Sequence, residues 1–135
     1  MKKFVALSTL IITLFLCGCE PIYAYFNYTE MIDKVVKVEV VDQGDVGKIT
    51  KGEVLMELDE TLIDDFLFDL SQIQFKSYIF GDVDYPSGIS FCLTFKDGSY
   101  TVFDNRCASV SGYNALHCSL KEYITLLDKY YPMTS

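Results

Sequence analysis

Ile89-Ser90-Phe91-Cys92-Leu93-Thr94-Phe95-Lys96-Asp97-Gly98-Ser99-Tyr100-Thr101-Val102-Phe103-Asp104 is the stretch on which the reading of this chain turns. Ile89, Phe91, Leu93 and Phe95 alternate with Ser90, Cys92, Thr94 and Lys96, the period of a strand with one buried face. Asp97-Gly98 is a two-residue hairpin signal, since glycine takes the positive φ that such turns demand. A two-residue turn sets Phe95 opposite Tyr100 and Leu93 opposite Val102 on the buried side, with Thr94, Thr101 and Lys96 facing the other way. A sheet with one apolar face needs helices laid across it. The expected fold class is therefore α+β, a small antiparallel sheet with two helices packed on one face.

Working outward toward the C-terminus, residues 108–110 read as a last short strand and Ser111-Gly112 as a turn. Ser119 with Glu122 is a capping-box signature, and Leu120, Tyr123, Ile124, Leu127 and Tyr131 form a helical apolar stripe ended by Pro132. In the other direction, residues 81–88 are a loop and residues 73–80 have strand composition. Residues 59–70 make the first helix. Leu62, Ile63, Phe66, Leu67 and Leu70 share a face there, and Thr61 with Asp64 resembles a capping box. Asp64, Asp65, Asp69 and Gln72 hold the opposite face. Three of these, Asp64, Asp65 and Asp69, are a candidate interaction patch for a basic protein partner, against the plainer reading of a solvated face. Residues 35–41 read as a strand with Val36, Val38 and Val40 buried and Lys37 and Glu39 wet, pairing through a long loop with residues 54–58.

The chain opens with Met1-Lys2-Lys3, and from Phe4 to Leu16 it contains only Phe, Val, Ala, Leu, Ser, Thr and Ile. That run has the length of a signal-peptide h-region and is too short to cross a bilayer. It ends in Leu16-Cys17-Gly18-Cys19, and the whole segment resembles the lipobox signal of bacterial lipoproteins. The resemblance implies that residues 1–18 are a cleaved signal peptide and that Cys19, the first mature residue, carries a diacylglyceryl group on its sulfur. The chain is then anchored by lipid to the cell membrane on the extracytoplasmic side. Two acyl chains, at about 0.8 kcal/mol per buried CH₂, hold a protein where one only visits. An ordinary secretory signal cut after Ala24 is the alternative; it would place Glu20 and Pro21 awkwardly inside the signal. Beyond residue 19 the chain resembles small Gram-positive lipoproteins in general character, without a family motif.

Loss of 18 residues from 135 leaves 117, enough for one core. The expected organisation is a single α+β domain over residues 35–135, preceded by residues 19–34 as a tether or a partly packed segment rich in aromatics: Tyr23, Tyr25, Phe26 and Tyr28. Half the residues are hydrophobic and 10 Tyr and 10 Phe are present, a composition that packs rather than disorders. The 11 basic residues less Lys2 and Lys3, against 19 acidic ones, give the mature chain a net charge of −10, which repels nucleic acid and anionic lipid headgroups alike, so nucleic acid is not expected as a partner.

After cleavage Cys92, Cys107 and Cys118 remain beside the lipid-bearing Cys19. Cys107 and Cys118 are a candidate disulfide, permitted outside the cytoplasm, and buried thiols are the equal alternative. No metal site is expected, because no Cys-x-x-Cys pair exists and His117 and Cys118 are adjacent. Asp82 and Asp84 miss the EF-hand pattern at Ser87 and Leu93. Gly88-Ile89-Ser90-Phe91-Cys92 lacks the closing glycine of a nucleophile elbow, and no phosphate-binding or dinucleotide loop occurs, so no cofactor is expected. The balance favours a non-enzymatic, membrane-anchored binding module. A carboxylate-based envelope hydrolase is the alternative from another class, and an inhibitor presenting the 81–88 loop is a third.

Overall fold

The computed structural model describes residues 21–48, 50–77 and 85–132. In chain order the elements are β1 (Tyr23–Ala24), α1 (Tyr28–Lys34), β2 (Val35–Asp42), β3 (Glu53–Glu57), a 3₁₀ turn (Glu60–Leu62) leading into α2 (Ile63–Ser71), β4 (Phe75–Ser77), β5 (Ile89–Phe95), β6 (Tyr100–Phe103), β7 (Ala108–Val110), β8 (Tyr113–His117) and α3 (Leu120–Tyr130). The α+β class holds, in a broader form than one sheet with two helices. The described residues form two four-stranded antiparallel sheets, ordered β3-β2-β5-β6 and β1-β4-β8-β7, and they meet where β6 adjoins β7.

The hairpin β5–β6 exists, but its register differs by one residue from the expected one. Phe91 pairs with Phe103, Leu93 with Thr101 and Thr94 with Tyr100. The loop is the three residues Lys96-Asp97-Gly98: Gly98 N–H donates to Phe95 O at 3.0 Å, Phe95 N–H donates to Ser99 O at 2.8 Å, and Gly98 sits at φ +88°. A turn followed by a left-handed glycine adds a residue to the loop, and one residue of slip exchanges the faces. Tyr100 and Val102 therefore share the face of Thr94 and Cys92, and Thr101 joins Leu93.

Strand β2 departs from simple alternation for two reasons. A bulge between Val35 and Lys37 turns Val36 outward, 49% exposed. From Glu39 onward both faces are covered, because the loop after β2 folds back over the sheet. Gln43, fully buried, holds that loop: its amide donates to Lys48 O (3.2 Å) and Thr50 O (2.9 Å) and accepts from Gly52 N–H (2.6 Å). A side chain at Gly52 would stand 2.1 Å from Asp42 O, so only glycine fits there.

The described part of the expected tether is packed. β1 pairs with β4, and Asn27 caps α1 by accepting from Glu30 N–H at 3.2 Å. Asp59 caps the 3₁₀ turn that leads into α2, accepting from Thr61 N–H at 2.9 Å, and α2 itself starts without a side-chain cap, in place of the expected Thr61–Asp64 pair. Ser119 caps α3 as expected, accepting from Glu122 N–H at 3.1 Å. The buried stripe of α3 is Tyr123, Leu126, Leu127 and Tyr130, while Leu120 and Ile124 face outward.

One core joins both sheets and all three helices. Its axis is a chain of touching rings, Tyr130–Phe66–Phe91–Phe103–Phe26–Phe75, with centroids 4.9 to 5.6 Å apart.

Candidate functional site

Helices α2 and α3 enclose an open groove of about 800 Å³, lined among others by Asp69, Gln72, Ile73, Glu122, Leu126 and Lys129. Phe66, Leu67 and Leu70 turn α2 onto the core, which leaves its charged side to the groove and to solvent. Asp69 accepts from Lys129 Nζ at 2.7 Å and from Tyr130 Oη at 2.5 Å. Desolvation pushes the Asp69 pKa up, but the bonds from Lys129 and Tyr130 outweigh it and hold the carboxyl below its ordinary value. The Tyr130 phenol is pushed up by burial and by the same carboxylate.

The three aspartates of the expected patch are thus placed differently. Asp64 and Asp65 are exposed, and Tyr28 Oη donates to Asp64 Oδ1 at 3.4 Å. Asp69 is half-buried and already neutralised by Lys129, so the patch offers two carboxylates rather than three.

Two further polar clusters were not singled out by sequence. On the sheet face under the loop after β2, Glu39 is buried between Lys51 Nζ (3.1 Å) and Lys37 Nζ (3.5 Å), with Cys92 paired to it on β5. The bond to Glu39 raises the Lys51 pKa, and burial raises that of the Cys92 thiol. Between β6 and β7, buried Asp104 accepts from Arg106 N–H (2.9 Å), Cys107 N–H (2.8 Å) and Ser87 N–H (3.1 Å), while Arg106 Nη2 donates to Ser87 Oγ at 2.6 Å. Both clusters close loops onto the sheets. The sequence signal for Asp104 was its place just after a strand and before Asn105, where a carboxylate caps a turn. Glu39 gave none, being in register with the residues expected to be wet.

Cys92 and Cys118 are buried and Cys107 is half-buried, and each stands as a thiol in this structure. Cys118 is buried, and desolvation, then the nearby Glu122 and Asp104 carboxylates, push its pKa to about 12. A thiol so protonated is a poor nucleophile. Ser90 is fully buried and its hydroxyl donates toward Ser87 O and Gly88 O at 3.3 Å. His117 is half-buried, and desolvation followed by the charge of Lys76 lowers its pKa. Among the described residues no group of three or more His, Cys, Asp or Glu is placed to hold a metal ion, and no helix is long and apolar enough to cross a membrane. Residues 1–20, with Cys19, lie outside the described residues, as do residues 81–84 of the expected inhibitory loop. No family model, curated protein or solved structure matches this chain.

Proposed function

We propose that this chain is a lipoprotein of the cell envelope, anchored through Cys19, and that its folded part is a non-enzymatic binding module. The observation that carries the anchor is the conjunction of Met1-Lys2-Lys3, the apolar run and Leu16-Cys17-Gly18-Cys19. Support for binding over catalysis comes from the chemistry of the buried groups. The hydroxyl of Ser90 is spent on backbone carbonyls, and the thiols of Cys92 and Cys118 are held protonated by burial. The partner surface is the outward side of α2, where the exposed Asp64 and Asp65 suit a protein presenting basic groups.

Acyl labelling tests the anchor. Cells fed a clickable palmitate analogue should label the full chain, and Cys19→Ala should lose the label and retain the uncleaved signal. A Cys19→Ala chain that keeps its label and its membrane association defeats the reading.

A further inference from the structure

We propose that the sheet β1-β4-β8-β7 is the membrane-facing side of the domain, and that its occupant is the lipid headgroup layer in which the acyl chains of Cys19 sit. This deepens the anchor reading and rests on it.

The first observation is where the chain enters the fold. Ile22 is fixed to β4 from both sides: its N–H donates to Ser77 Oγ at 2.9 Å, and Ser77 N–H donates to its carbonyl at 2.9 Å. Two residues, Glu20 and Pro21, separate Cys19 from Ile22, and the three steps from one to the other span at most about 11 Å. A lipid on Cys19 therefore brings the β1 edge to the headgroups and leaves the domain little room to turn over.

A second observation is independent of the first. In a chain with 19 acidic residues, none of the described residues in the strands of this sheet is an Asp or Glu. The strands of the other sheet carry Glu39, Asp42, Glu53 and Glu57, and each α-helix carries at least two carboxylates. Tyr23 pairs with Lys76 and Lys76 with His117, a row across the sheet with a cation at its centre. A screening length of about 10 Å at 0.1 M salt matches the reach of the tether, so strands without carboxylates meet less repulsion from anionic headgroups at that distance than the acid-bearing sheet would, although Glu20 of the tether is itself a carboxylate.

The third is the exposed surface itself. Ile22 is 42%, Tyr23 56% and Tyr25 49% exposed at the entry edge, while the intervening Ala24 and following Phe26 are buried. Rings with an apolar body and a polar tip are favoured at the membrane interface. The alternation of β1 and its flank thus presents tyrosines on the side the tether pulls toward the bilayer.

The chain contains no tryptophan, so a single introduced one reports its own surroundings. Full-length Tyr23→Trp and Tyr25→Trp, matured in cells, are reconstituted in phosphatidylcholine–phosphatidylglycerol vesicles. The comparison is Val54→Trp on β3, the opposite extreme of the strand order. At positions 23 and 25 the emission should shift to shorter wavelength and be quenched by phospholipids brominated near the headgroup, and at position 54 it should do neither. Water-like emission at 23 and 25 in a chain that carries its acyl label and floats with the vesicles overturns the orientation alone. A chain without acyl label overturns the anchor and the orientation together.

Discussion

Asp69 couples two helices through one carboxylate. It accepts from Lys129 and from Tyr130, both in the last turn of α3, and partial burial is outweighed by those bonds in setting its lowered pKa. A depressed folded pKa means the group adds stability above its unfolded value of about 3.9 and loses it as pH falls through the folded one. Wild type should therefore exceed Asp69→Asn by up to about 1 kcal/mol at pH 7, a modest figure because Lys129 is exposed. The gap should close once the carboxyl is protonated. Urea denaturation across an acidic pH series measures this, and parallel curves for the two chains would show that the pair adds nothing. The same residue shows a limit of sequence reading. Asp69 sits with Asp64 and Asp65 on the charged face of α2, and only the arrival of α3, some 60 residues later in the chain, separates it from them.

At the scale of elements, local signals served where the local segment makes its own decision. The Ser119–Glu122 cap is one such case, and its worth is measurable. Ser119→Ala should cost about 1 kcal/mol and speed amide exchange in the first turn of α3, with exchange in β5 unchanged until global unfolding. An unaltered first turn would show that packing alone starts the helix. The strand β7 and the Ser111-Gly112 turn were legible too; both residues have positive φ, as a two-residue hairpin turn requires. The strand after that turn, β8, was not, since Ala115 at φ +58° and a register shift break its alternation. Helix α1 was hidden by brevity: seven residues carry one buried side chain, Met31. The signal that could have found it is Asn27, whose side chain caps that helix. Pairing of β2 with β3 was readable, whereas the burial of Glu39 depends on Lys51 and a loop clamped by Gln43, a tertiary event with no local pattern.

Across the whole molecule, the linked rings make the two sheets depend on one another. Phe91 touches Phe66, Phe103 and Tyr123, and so joins α2, α3 and the first sheet to the ring of Phe26 beyond. Phe91→Ala should cost about 3–5 kcal/mol, and far-ultraviolet dichroism and tyrosine fluorescence should still report a single coincident unfolding transition. Two separated transitions would mean that the sheets fold as independent units. The order in which elements leave the N-terminus has a mechanical meaning as well. A pull on that end meets first the Ile22–Ser77 bonds and the two-residue β1, then α1, and only then β2, gripped on both sides by β3 and β5. Under the proposed lipid anchor, strain at that end would thus be taken first by a short segment that yields and re-forms, ahead of the strand at the centre of the fold.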